Sequence, residues 1–144
     1  MDIVIDFDGT CVTHDFPRIG KEIGAVPVLK ELVAKGHRLI LFTMRSDMEA
    51  PVSDDPEIVA IGGKYLSKAV QWFKKHEIPL YGIQANPTQH TWTHSPKAYG
   101  QLIIDDAALG CPITYDQNVS DKCFVDWKMV RKILVMERLI PVKN

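Results

Sequence analysis

An α/β fold, built on a mostly parallel sheet with helices on both faces, is what this 144-residue sequence predicts. Three observations predict it. Short apolar runs of strand length recur along the chain. Segments of helical periodicity alternate with them, the order expected of a parallel sheet. The apolar runs also lack strict polar alternation, as strands buried on both faces do.

Residues 2–6 read as the first strand, with Ile3-Val4-Ile5 as its apolar run. Residues 9–20 are polar and rich in turn formers (Gly9, Pro17, Gly20) and read as a loop or small hairpin. From 25 to 35, Val26, Val28, Leu29, Leu32 and Val33 fall at helical spacing, and Gly36 supplies a stop. Arg38 to Phe42 is a second buried strand ending at Thr43. Residues 46–58 hold two prolines and five acids and read as a mobile loop. Helical spacing returns over 60–76 through Leu66, Ala69, Val70 and Phe73. Residues 78–83 form a short third strand, and 84–96 a polar loop. Leu102-Ile103-Ile104 is the fourth strand, ending at Asp105-Asp106. The stretch 126–139 is an amphipathic helix with Trp127, Val130, Ile133 and Leu134 on its apolar side, and Asp126 suits its N-cap.

The length is that of a single domain covering 1–144. A net charge of −1 announces neither nucleic acid nor anionic membrane. No apolar run is long enough to span a membrane, and the N-terminus does not resemble a signal peptide. Three cysteines (Cys11, Cys111, Cys123) without metal-ligand spacing read as reduced thiols, so the expected location is the cytoplasm.

Ligands of parallel α/β sheets bind beyond the carboxyl ends of the strands. Asp6, Asp8, Thr43, Asp105 and Asp106 all lie at such ends or just past them. Asp6 and Asp8, two residues apart and followed by Gly9, suit a divalent cation and a phosphoryl group. Asp105-Asp106 forms a second acidic pair, and Lys97 precedes it by eight positions. His90, Trp92 and His94 cluster in sequence, but their Pro/Thr-rich setting argues for a loop rather than a metal site. Arg18, His14 and Arg45 are candidates for substrate contact; for Arg45 an ordinary salt bridge is the competing reading.

The set and its order resemble the haloacid dehalogenase (HAD) superfamily of phosphohydrolases. The resemblance rests on IVIDFDGT at the first strand, LILFT at the second, Lys97, and LIIDD at the fourth, and it spans roughly residues 1–135. It implies a three-layer Rossmann-like fold and a Mg²⁺-dependent phosphatase. Asp6 would be the nucleophile, forming an aspartyl-phosphate. Asp8 would act as general acid and then base, and would contribute to the metal site through its backbone carbonyl. Asp6, Asp105 and Asp106 complete the metal set, Asp106 through a water or by holding Lys97. Thr43, Lys97 and Gly9 would bind the phosphoryl oxygens, and the Thr10 hydroxyl would brace the loop.

Residues 11–24 and 44–77 are too short for the full cap domain that many members insert. Members without a cap act on large substrates or close their sites with a neighbouring subunit. The resemblance therefore leaves a phosphorylated small molecule with a homo-oligomeric lid, or a phosphoprotein; nucleic acid is not supported. Two other readings stay open: a phosphotransferase of the same fold, and a receiver-like regulatory domain that binds a phosphoryl group without turnover. The order of the motifs speaks against a true receiver, because the hydroxyl comes second and an acid pair follows Lys97.

Overall fold

A computed structural model describes residues 1–49 and 62–143. Its elements in chain order are β1 (Asp2–Ile5), α1 (Ala25–Ala34), β2 (Arg38–Leu41), β3 (Asp47–Met48), β4 (Gly63–Lys64), α2 (Tyr65–Lys75), β5 (Leu80–Ile83), β6 (Leu102–Ile104), β7 (Ile113–Thr114), β8 (Phe124–Val125) and α3 (Trp127–Met136). The central sheet has the order β5-β2-β1-β6, and every pairing in it is parallel. The chain is a small α/β protein with a Rossmann-like sheet. Among the described residues, no helix is long and apolar enough to cross a membrane.

Each helix stops where one residue takes a positive φ and the last carbonyls are captured from beyond it. In α1, Gly36 has φ 83°, and the N–H groups of Gly36 and His37 donate to Val33 and Leu32. Glu77 (φ 56°) ends α2 and Arg138 (φ 58°) ends α3 in the same way. The sequence predicts α3 running to 139; it ends at Met136 because Arg138, a side chain that does not announce a stop, takes the left-handed position. Asp126 caps α3, accepting from the N–H groups of Lys128 and Met129 at 3.1 Å.

Ile3 and Ile5 of β1, Leu39 and Leu41 of β2 and Ile104 of β6 point to one face. There they join Leu29 and Leu32 of α1, Trp72 and Phe73 of α2, and Trp127, Val130 and Leu134 of α3 in one core. All three helices thus bury their apolar sides against this face. The opposite face, where Tyr81 of β5 packs with Val4 and Ile40, meets Ala98 instead. The predicted α/β fold on a parallel sheet is the one observed; among the described residues its second face is covered by coil. A right-handed crossover from β5 to β6 must return on the face away from α1 and α2. Residues 84–101 make that return as coil with a single 3₁₀ turn at Gln89–Thr91, because Asn86, Pro87, Pro96 and the Thr residues between the prolines disfavour a helix. Side-chain amides replace helical hydrogen bonds there. Buried Gln89 accepts from the N–H groups of Asn86 and Tyr99 and donates to the carbonyls of Ser95 and Lys97. Asn86 then donates to Asp2 at 2.9 Å.

The segment predicted as a loop over 46–58 begins as β3, which pairs antiparallel with β4; residues 50–58 lie outside the described residues, as do the first two of the helix predicted from 60. Between β1 and α1 the chain makes only a tight loop. Between β2 and β5 the described residues supply the β3–β4 ribbon and α2.

Candidate active site

The exits of β1 and β6 are neighbours in the sheet, and the Asp6 N–H donates to the Ile104 carbonyl at 3.0 Å. One carboxylate oxygen each from Asp6, Asp105 and Asp106 lies within 4.8 Å of the others. Among the described residues this is the only group of three or more such side chains; His90 and His94 form none.

The loop after β1 is wound tightly to bring this about. The Phe7 carbonyl accepts from Thr10, Cys11 and Val12. Thr10 is fully buried; its hydroxyl donates to Asp6 Oδ2 at 2.8 Å and accepts from the Asp106 N–H at 3.0 Å. One hydroxyl therefore binds the β1 loop to the β6 loop. The Thr10 carbonyl is held in turn by Trp127 Nε1 at 2.7 Å, which anchors the loop to α3. Asp105 accepts from the Ala107 N–H, and Asp106 Oδ2 lies 2.7 Å from His14 Nε2.

Gly9 shapes the loop itself. Its N–H donates to the Val12 carbonyl, so it is not turned toward a phosphate. Its φ is 78°, and a Cβ there would lie 2.1 Å from His14 Nε2 and 2.5 Å from Asp106 Oδ2. Glycine is required so that His14 and Asp106 can close over the loop.

Burial, reinforced by Asp105 and Asp106, pushes the Asp6 carboxyl up to about 7, against the opposing pull of the Thr10 hydroxyl and the Phe7 N–H. Three clustered carboxylates offer hard oxygen donors that could hold a metal ion, whose charge would offset theirs.

Asp8 does not join the cluster through its side chain. Both its oxygens accept from Arg45, Oδ2 from Nε and Oδ1 from Nη2, each at 2.7 Å. The expectation of Arg45 as a substrate contact is corrected accordingly: the residue is 2% exposed and turned inward. Arg18 is exposed and paired with Asp15 three positions earlier. Thr43 lies at the same sheet edge, since the Phe42 N–H donates to the Ile5 carbonyl. Its hydroxyl accepts from the Arg45 N–H, and its own backbone is clamped on both sides by the Gln84 side-chain amide. Gln84, at φ 63°, is a residue the sequence reading passed over; a polar residue directly at a strand exit was the available signal.

Lys97 is exposed and makes no ion pair within 4 Å with any described carboxylate. Its carbonyl rests on Gln89, in the coil that Asn86 ties to Asp2 at the amino end of β1. The structure does not join it to the acidic cluster. The reason is local: without a helix before β6, no element carries Lys97 to the carboxyl edge. Cys11 is buried, with its Sγ donating to the Asp6 carbonyl at 3.3 Å, and all three thiols are free.

No family model and no curated protein matches the chain. Among solved structures, a conserved protein coded by a locus from Bacteroides thetaiotaomicron is similar, at 31% identity and a TM-score of 0.67, over 96% of this chain and 91% of that one.

Proposed function

The chain belongs to the same family as this conserved Bacteroides protein, and we propose that it is a Mg²⁺-dependent phosphatase of the haloacid dehalogenase type. The observation that carries the reading is the carboxylate cluster of Asp6, Asp105 and Asp106, braced by the buried Thr10 hydroxyl at the exits of β1 and β6. These three residues would hold Mg²⁺. The cation, when bound, neutralises negative charge at the site so that an anionic nucleophile can approach a phosphate dianion.

The protein's own groups divide the remaining work. Thr10 occupies Asp6 Oδ2, which leaves Oδ1 to attack phosphorus. The new bond is Asp6 O–P, the broken bond is P–O of the ester, and the leaving oxygen takes a proton from Asp8, which must first have bound that proton on an oxygen released by Arg45. A water then attacks the phosphorus of the aspartyl-phosphate: the water O–P bond forms, the Asp6 O–P bond breaks, the water's proton passes to Asp8, and inorganic phosphate leaves. Thr43, on its Gln84 clamp, supports the phosphoryl oxygens. Lys97 would take part only if the 84–101 coil moves. The proposed partners remain a phosphorylated small molecule or a phosphoprotein, with a second subunit as the proposed lid; the proposed compartment is the cytoplasm.

A second reading, phosphoryl binding without turnover, draws on one observation: Arg45 occupies both oxygens of Asp8. Release of phosphate from an aryl phosphate separates the two. The phosphatase reading expects Mg²⁺-dependent release that Asp6→Asn abolishes. Wild-type protein that binds Mg²⁺ and releases nothing from aryl phosphates, phosphorylated metabolites or phosphopeptides would refute it.

A further inference from the structure

Arg45 is among the best-satisfied charged groups in the protein. Each of its five guanidinium N–H donors has an acceptor: Nε and Nη2 reach the two Asp8 oxygens, Nη2 also reaches the Arg18 carbonyl at 2.7 Å, and Nη1 lies 3.4 Å from the carbonyls of Pro17 and Tyr65. The rings of Phe7 and Phe16 lie 5.1 and 5.2 Å from its Cζ. The backbone of the same residue donates to Thr43 Oγ1 and accepts from Gln84 Nε2. One residue therefore links the exits of β1, β2 and β5.

From this geometry we infer that Arg45 is a positioning residue for Asp8. The inference rests on the phosphatase reading above. Without a partner, Asp8 would be a fourth carboxylate beside an already crowded acidic edge, free to swing toward the cation site. Two parallel N–H···O contacts remove that freedom, because a bidentate guanidinium fixes both the place and the plane of a carboxylate. The two acids of the first motif are thereby given separate partners: Asp6 faces the cluster, and Asp8 faces Arg45. For Asp8 to exchange a proton with the leaving oxygen and then with water, one of the two contacts must yield while the other keeps the carboxylate in place.

The test compares Arg45→Met, Arg45→Lys, Asp8→Asn and the Asp8→Asn/Arg45→Met double variant. Each is assayed for Mg²⁺-dependent release from an aryl phosphate and for Mg²⁺ affinity by calorimetry, with thermal melts to confirm folding. The expected result for Arg45→Met is a fall in kcat of about a hundredfold, the usual penalty for a misplaced catalytic group. KM and the Mg²⁺ dissociation constant should each stay within about threefold, since neither substrate nor cation is held by Arg45. Arg45→Lys, which offers one contact instead of two, should recover part of the rate. The double variant should be no slower than Asp8→Asn alone. A folded Arg45→Met enzyme with wild-type kcat overturns the inference. So does a double variant whose losses multiply, or a loss of Mg²⁺ binding in both Arg45 variants. Should Arg45→Met not fold, the Lys variant, made also in the Asp8→Asn background, carries the same comparison. Inactive wild-type protein instead overturns the phosphatase reading, and the positioning role with it, before any Arg45 variant is compared.

Discussion

Replacing Asp6 with Asn should stabilise the cation-free protein while abolishing turnover. Burial is the main reason the Asp6 carboxyl is raised from 3.8 to about 7, and Asp105 and Asp106 add to it. A carboxyl raised in the folded state favours the native protein when protonated and opposes it when ionised. Stability is therefore lost as pH climbs from 3.8 toward 7, and above that the full cost is present. The distance from 3.8 to about 7, at ~1.4 kcal/mol per pH unit, amounts to about 4 kcal/mol. Asparagine carries no such cost and keeps an oxygen to accept from Thr10. In EDTA, Asp6→Asn should thus be more stable than wild type by about 4 kcal/mol at pH 8 and by about 2 kcal/mol at pH 5, where only the first part of the titration has occurred. Urea melts at the two pH values measure the gap directly. Saturating Mg²⁺ should narrow or reverse it, since a cation at a hundred times its dissociation constant adds about 3 kcal/mol to the protein that binds it. A variant no more stable than wild type at pH 8 in EDTA, or a gap that fails to widen between pH 5 and 8, would refute the electrostatic account of the cluster.

Thr10→Val removes the hydroxyl's bond to Asp6 and its bond from the β6 loop, leaving the Asp106 N–H without its acceptor, so it should cost about 1–3 kcal/mol in urea denaturation. Thr10→Ser should retain most of that, and a Val variant within experimental error of wild type would show that the brace is idle. Glu31 is held below its ordinary 4.5 first by hydrogen bonds from Arg131, with burial opposing and Lys143 assisting. Its lowered value means the stabilisation is present above 4.5 and fades as pH falls through the folded value, so the melting temperature of Glu31→Gln should depend less on pH below 4.5 than that of wild type.

The four strands of the central sheet and the three helices were legible because their signals are local. Ile3-Val4-Ile5, Leu39-Ile40-Leu41 and Leu102-Ile103-Ile104 have no polar alternation, and Val28, Leu29 and Leu32 recur at helical spacing. Gly36 marked a stop that the left-handed position makes necessary. The end of α3 was not legible, because Arg138 occupies the same position without a glycine to advertise it. The coil over the second face was missed for a related reason. Alternation of strands and helices leads one to expect a helix in every crossover, whereas Gln89 and Asn86 satisfy this crossover's backbone with side-chain amides, which leave no periodic trace.

At the site, what could be read and what could not divides along the same physical line. Asp6, Asp105 and Asp106 converge because parallel strands bring their exits to one edge, and that follows from topology alone. The partner of Asp8 does not follow from topology. Arg45 lies two residues past Thr43, at a distance from β1 in sequence, and a charged residue in that position reads as exposed. Only the packing of Phe7, Phe16 and Tyr65 around it makes it buried. Burial then changes what the residue can be used for. An exposed arginine beside the site would be free to meet an incoming phosphate, whereas a buried one is committed to its counterion, since an unpaired buried charge would cost about 3–5 kcal/mol. The same argument binds Asp8 to Arg45 from the other side. It follows that the two acids of Asp6-Phe7-Asp8, alike in type and two residues apart, are not interchangeable in their surroundings: one sits among carboxylates, and the other is already paired with a buried guanidinium.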